Sequence, residues 1–235
     1  MQVEDIRPEG WACTYLVSND AKAVLIDPVW DYIGHYESIL SSRNLKLVAC
    51  MATHTHADHI TACFSLSQEQ GIPFYMWKDT VSLGVTDYVD ETTELTIAGV
   101  DYSFHHVPGH TSDSMIIAID GHIFTGDFLF NGGAGVGRDD LPSGRLHEHW
   151  ESIQSLAHLS DDVMVCSGHE PPSTELQTLG WNRTHNPILN MHSFDDFVQW
   201  QNKTAEQLGS VSKIKTALPA NLFAEIPDDI PWLSQ

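Results

Sequence analysis

Basic residues are what this chain has least of: 11 Lys and Arg stand against 32 Asp and Glu, a formal net charge of -21 at pH 7. Such a field repels phosphate backbones and anionic lipid surfaces, so neither nucleic acid nor membrane is an expected partner. No apolar run is long enough to cross a bilayer, and the opening residues MQVEDIRPEG lack the basic and apolar regions of a secretory signal. The four cysteines, Cys13, Cys50, Cys63 and Cys166, show no C-x-x-C spacing. Cys50 and Cys166 lie in apolar runs, where a buried free thiol is expected. These readings point to a reducing, cytoplasmic setting. There is no Gly-x-Ser-x-Gly elbow for a serine nucleophile, and the glycine-rich run 132–137 is not followed by Gly-Lys-Ser/Thr. That run predicts a flexible loop at the rim of a site, not a phosphate cradle.

What is present suits a mixed α/β (α+β) chain with one core. At 235 residues and 42% hydrophobic content, residues 1–235 are expected to form a single domain. Apolar runs at 23–26, 45–52, 72–77, 114–119, 122–125 and 163–166 read as strands. Ala98-Gly99 and Asp120-Gly121 suit hairpin turns. Residues 57–70 predict a helix with Asp58 in its first turn and Gly71 as its stop. Trp150, Ile153, Leu156 and Leu159 recur at helical spacing over 147–159, and Ser193 is placed to cap a helix carrying Phe194, Phe197 and Val198.

The chemistry concentrates in His54-Thr55-His56-Ala57-Asp58-His59, four potential metal ligands in six residues directly after an apolar strand. Imidazole nitrogen and carboxylate oxygen suit transition metals, and a strand end can point several of them into one cavity. His110 in Pro108-Gly109-His110-Thr111, Asp127 in Thr125-Gly126-Asp127 and His169 in Ser167-Gly168-His169 repeat one pattern: apolar strand, glycine, ligand. His105 and His106 read as strand or supporting residues, whereas His35, His122, His158 and His192 show no ligand spacing.

In this order T-H-x-H-x-D-H, P-G-H-T, T-G-D and G-H resemble the metallo-β-lactamase superfamily. The resemblance implies a four-layer αββα sandwich with its site at one edge of two packed sheets. In two-metal members, His54, His56 and His110 would hold one ion, Asp58, His59 and His169 the other, with Asp127 between them. Such sites cleave bonds with metal-activated water. A narrower resemblance is carried by Ile26-Asp27-Pro28, Gly126-Asp127-Phe128-Leu129-Phe130, Gly137-Arg138-Asp139-Asp140-Leu141, Asn186-Pro187 and Leu218-Pro219-Ala220-Asn221-Leu222. These are similar to the persulfide dioxygenase branch, with glyoxalase II a more distant relative.

That branch implies one Fe(II) held by His54, His110 and Asp127, a facial set that leaves positions for sulfur and O2. It implies glutathione persulfide or a related low-molecular-weight persulfide as substrate, Asp58 and His59 as catalytic groups, and a homodimer. The alternative is a glyoxalase II-like thioester hydrolase with two Zn or mixed Fe/Zn on all seven ligands. Arg138 and Arg183, with Arg145 nearby, are candidates to bind a substrate carboxylate. Two departures bear on glutathione. Ile188 stands after Asn186-Pro187 where the branch often carries arginine, and Pro171 follows His169 and Glu170 where it often carries tyrosine.

Overall fold

Alternation along single strands sorts the side chains into layers. In the strand Lys22–Ile26, Ala23 and Leu25 join one apolar cluster while Val24 and Ile26 join another. In Met115–Ile119, Met115, Ile117 and Ile119 face that second cluster and Ile116 faces a third. A strand apolar on both faces must be covered on both. The central cluster therefore lies between two sheets, and the outer two lie beneath helices. The structure, a computed structural model, describes residues 1–233.

The first sheet contains β1 (Gln2–Asp5), β2 (Tyr15–Asn19), β3 (Lys22–Ile26), β4 (Lys46–Met51), β5 (Phe74–Trp77) and β6 (Asp87–Val89), in that spatial order. The second contains β7 (Leu95–Ile97), β8 (Val100–His106), β9 (Met115–Ile119), β10 (His122–Gly126), β11 (Met164–Ser167) and β12 (Gln177–Thr178). β3 to β6 pair in parallel, as do β10 and β11, while the remaining pairs are antiparallel. The helices are α1 (Ile33–Ser42), α2 (Cys63–Gln70), α3 (Leu146–Ser155), α4 (Leu179–His185), α5 (Phe194–Leu208) and α6 (Ile214–Phe223). Residues of α1, α2 and α6 pack into the first outer cluster, and residues of α3, α4 and α5 into the third. The αββα sandwich implied by the sequence is the fold observed.

The expected hairpins form, with Ala98 and Gly99 both at positive φ between β7 and β8, and Gly121 at φ +72° between β9 and β10. Ser193 caps α5, its hydroxyl accepting from Asp196 N. All four cysteines are buried free thiols. Among the described residues no helix is long and apolar enough to cross a membrane.

Three expectations need correction. The helix expected over 57–70 begins only at Cys63. Backbone groups ahead of it are committed elsewhere: Ile60 O accepts from Trp30 N, Ala62 N donates to Pro28 O, and Thr61 bridges Val29. The helix expected over 147–159 ends as α-helix at Ser155 and tightens into a 3-10 turn over Leu156–His158. The glycine-rich run is not a loose loop. Asn186 Nδ2 donates to both Phe130 O and Gly135 O, Asn182 Oδ1 accepts from Gly132 N, and Gly137 N donates to Asp127 O.

Candidate metal centre

The functional side chains gather where strands of both sheets end. Thr53 to His59 follow β4, Asp127 follows β10, His169 follows β11, and His110 lies in the turn between β8 and β9. Met115 N donates to Thr53 O, tying the sheets together at this edge. The glycine ahead of each later ligand has a packing reason. A Cβ on Gly168 would strike Asp127 Oδ1, one on Gly126 would strike Thr53 Oγ1, and one on Gly109 would strike His149.

Two donor groups result, each able to converge its ligand atoms within 4.8 Å: His54 with His110 and Asp127, and His56 with Asp58 and His59. The first is the set expected for a single ion. The second brings His56 together with Asp58 and His59, while the His56 ring also adjoins His54 of the first group. Its ring lies between the others, 4.2 Å from both His54 and His59 by ring centroid. His169 joins the groups, donating Nδ1–H to Asp127 Oδ1 at 2.8 Å and Nε2–H to Asp58 Oδ2 at 3.0 Å.

The hydrogen bonds set which nitrogen of each imidazole is free. The Thr53 hydroxyl donates to Asp27 Oδ2 at 2.8 Å, so its oxygen accepts His54 Nδ1–H at 3.0 Å and leaves Nε2 as lone pair. His56 donates Nε2–H to Asp27 Oδ1 at 3.2 Å, leaving Nδ1. His59 donates Nδ1–H to Asp58 Oδ2, and His110 donates Nδ1–H to Arg138 O at 2.6 Å. The freed His54 Nε2, His56 Nδ1 and His59 Nε2 are buried with no protein partner. Buried polar atoms are normally satisfied, and three orphaned lone pairs beside two carboxylates fit a cation.

Protonation points the same way. Burial, reinforced by His56, holds His54 well below the usual histidine range, and burial likewise lowers His59 and His110. Burial opposes ionisation of Asp58 and Asp127, yet His59 and His169 hold Asp58, and His169 and His110 hold Asp127, below the usual carboxylate range. For His56 and His169 burial is outweighed by facing carboxylates, Asp27 for the first and Asp127 with Asp58 for the second, so both are raised. For His54, His59 and His110 the neutral imidazole beside an anionic carboxylate is the state that metal binding requires, whereas the carboxylates facing His56 and His169 favour their protonated forms.

Sequence reasoning missed three supporting residues. Asp27, named only within a motif, serves His54 through Thr53 and His56 directly. Asp113 accepts from Thr55 N, Thr55 Oγ1, Thr80 Oγ1 and Thr111 Oγ1, binding the two ligand loops to each other. Asn221, quoted only within a motif, donates to His56 O and His59 O and accepts from Thr61 N. A buried carboxylate or amide at a strand or helix end was the available signal; what it reached across the fold was not.

The candidate substrate arginines are engaged elsewhere. Arg138 forms a two-pronged pair with Asp140 at 2.6 Å and donates to Gly209 O, while its carbonyl steadies His110. Arg183 donates to Asp161, Leu156 O and Leu159 O, closing the end of the α3 segment. Arg145 N donates to Gly109 O, and its guanidinium reaches Gly144 O. Ile188 is fully buried in the third cluster, so that position presents no side chain to solvent. His106 stacks on Trp77 and pairs with Ser112 O, a supporting role as expected.

Known proteins carry the same frame. ETHE1 from Myxococcus xanthus superposes with a TM-score of 0.85 at 27% identity, over 95% of this chain and 99% of that one. TTHA1623 in a di-iron-bound form superposes at 0.63 with 25% identity, over 80% of this chain and all of its own. A hydroxyacylglutathione hydrolase of Xanthomonas campestris is 34% identical over 164 residues, 68% of this chain; the match spans 60% of that relative's length. The profile of the metallo-beta-lactamase superfamily matches residues 13–169. Because that match runs from the approach to β2 through to His169, and so takes in every donor of the cluster, the chain belongs to the metallo-β-lactamase superfamily.

Proposed function

We propose that the protein is a non-haem iron dioxygenase that converts a low-molecular-weight persulfide, O2 and water into a thiol and sulfite. The observation that carries this reading is the first donor group: His54, His110 and Asp127 form a self-contained set of two imidazoles and one carboxylate. The near end-to-end likeness to ETHE1 supports it, as does the resemblance of the G-R-x-D-L and L-P-A-N-L segments to the persulfide dioxygenase branch. Fe(II) at that set would supply electron transfer to O2 and a position for the substrate sulfur. The chain's own part is orientation. Thr53, Arg138 and His169 fix the three ligands. Asp58, held anionic by His59 Nδ1–H and His169 Nε2–H, is a fixed hydrogen-bond acceptor beside them.

A second reading is favoured by a specific observation. The group of His56, Asp58 and His59 offers a second cation position, and the hydroxyacylglutathione hydrolases are the curated relatives matched. Two ions, Zn or mixed Fe/Zn, would then serve thioester hydrolysis by activated water. Metal analysis of the purified protein followed by O2 uptake with glutathione persulfide separates the two. One iron per chain with O2 uptake supports the dioxygenase; two ions and thioester cleavage without O2 uptake replace it. His169→Ala sharpens the test. The loss is expected to be mild, within about tenfold, for a one-iron oxygenase, because His169 there orients Asp127 and Asp58 and holds no ion. A loss to background with iron content unchanged would make the second position part of the chemistry.

A further inference from the structure

Among the described residues, His149 is the one buried histidine outside the seven donors. It lies on α3, whose N-cap is Arg145, and it sits between the loop that carries His110 and the loop that carries Asp127. On the first side, a Cβ on Gly109 would strike His149 Cγ, Cβ and Cα, so the residue ahead of His110 rests directly on this helix. The helix holds the same turn at two further points: Ser152 Oγ–H donates to Pro108 O at 2.9 Å, and Arg145 N donates to Gly109 O at 2.8 Å. On the second side, His149 Nε2 is 3.4 Å from the carbonyl oxygen of Phe128, the residue after Asp127, and the two rings are 5.5 Å apart.

The hydrogen bonds of the ring are mutually consistent. A carbonyl oxygen only accepts, so Nε2 carries the proton. Nδ1 then accepts, and Gln201 Nε2 of α5 stands 3.4 Å from it. Asp139 Oδ2, at 3.8 Å, is beyond bonding distance of Nδ1. Gln201 Nε2 also donates to Gly137 O at 3.0 Å, and Gly137 N donates to Asp127 O at 2.9 Å. A Cβ on Gly137 would meet both Asp127 O and His110 Nδ1, which places this backbone against both donors. Through His149 and Gln201, α3 and α5 therefore grip the chain beside His110 and beside Asp127. His56 and His59 are held from the opposite helical layer, by Asn221 of α6.

We propose that His149 is a positioning residue for the ion of the enclosed group, setting the separation of His110 from Asp127 by holding the residue before one and the residue after the other. It touches neither ion nor substrate. An imidazole suits the place because it fills the space against Gly109 and also donates to Phe128 O, whereas an apolar ring does only the first. The proposal rests on the reading of His54, His110 and Asp127 as an ion site, and not on the reaction run there.

The test is titration of the metal-free protein with Co(II) against a competing chelator, with the visible absorption of the bound ion recorded. Two backgrounds separate the positions: His59→Ala for the enclosed one and His110→Ala for the open one. In the first, His149→Ala is expected to weaken binding by about 10- to 100-fold and to shift the Co(II) spectrum. In the second, it is expected to change binding by less than about twofold. His149→Phe keeps a ring against Gly109 but cannot donate, and it is expected to lose affinity as well; His149→Gln, with an amide N–H for Phe128 O, is expected to bind Co(II) more tightly than His149→Phe. Ile153→Ala, buried on the same helix in the same apolar cluster, is the control for lost stability. It is expected to lower the denaturation midpoint and to leave Co(II) affinity within about twofold. Unchanged affinity and spectrum in the Ala and Phe variants, an equal loss in Ile153→Ala, or an equal loss in the His110→Ala background would overturn the proposal. Should His149→Ala not fold, equal affinity of the Phe and Gln variants would do the same. O2 uptake is read separately on the iron-loaded protein. None at all, with the Co(II) losses as expected, removes the dioxygenase reading and retains the role of His149; O2 uptake with unchanged affinity in the variants does the reverse.

Discussion

The two donor groups differ in what stands behind their imidazoles. In the first group His54 leans on the Thr53 hydroxyl and His110 on the Arg138 carbonyl, both uncharged oxygens. In the second, His56 leans on the Asp27 carboxylate and His59 on Asp58. A carboxylate behind an imidazole makes it a stronger donor and favours retention of a cation, whereas a neutral oxygen orients it without that gain. Exposure divides them as well. Asp58 is the donor most open to solvent, its side chain 36% exposed against 11% for Asp127 and 5% for His110. The first position is enclosed and geometrically fixed, and the second is electrostatically strong and open. Seven donors in one cluster do not make two equivalent sites.

The largest effect that can break this contrast is His110→Ala. It removes one of only two imidazoles in the enclosed group and leaves His54 as the single imidazole beside Asp127 there. Loss of the ion of the enclosed group and of activity to background is expected, read by metal analysis on dialysed protein. Retention of a full equivalent of iron would show that the open group holds it instead.

Asn221→Ala comes next, because it attacks the frame that both groups share. Three backbone groups, His56 O, His59 O and Thr61 N, lose their partner in a buried region. Unsatisfied buried groups cost enough that a loss of roughly 2–4 kcal/mol in unfolding free energy is expected, read by denaturant titration of the metal-free protein. A change below about 0.5 kcal/mol would mean that water replaces the amide.

Asp27→Asn addresses the contrast directly and should be smaller. The oxygen facing His56 Nε2 also accepts from Thr53 N, so the amide oxygen keeps that place and the amide nitrogen faces Thr53 Oγ1. The Thr53 hydroxyl then accepts from the amide and donates to His54 Nδ1, moving that ring's proton to Nε2. The enclosed position is therefore expected to lose affinity by about 10- to 100-fold, with a lesser effect on the open position through the lost charge behind His56. Competition with a chelator measures both. Equal losses at the two positions would erase the asymmetry argued above.

How far the sequence reached follows the same division. Strand identity, hairpin turns and the αββα layering were legible because they depend on local alternation, as in Val24 against Leu25 or Ile116 against Ile117. The ligands were legible because each follows a strand and three of the seven follow a glycine. Their supports were not. Asp27 and Thr53 are 26 residues apart, and Asn221 and Thr61 are 160 apart. No local pattern announces that a carboxylate ending one strand will meet a threonine ending its neighbour. The helix expected from 57 failed for a related reason: local propensity gave way to long-range bonds from Pro28 and Trp30. The arginines meet the same limit. A guanidinium near a motif invites a substrate role, but its partners are a property of the fold.

Arg183 makes that last point testable with the smallest expected effect. Its three contacts are to Asp161 Oδ1 at 2.7 Å and to two carbonyls at the end of the α3 segment, Leu156 O at 2.8 Å, which also accepts from Leu159 N, and Leu159 O at 3.0 Å. Hydrogen bonds from a charged donor to such carbonyls contribute more than neutral ones, but the side chain is partly exposed and the pair with Asp161 is screened by water. Arg183→Gln is therefore expected to lower unfolding free energy by about 1 kcal/mol while leaving KM and metal content unchanged. A raised KM with unaltered stability would return the residue to substrate binding.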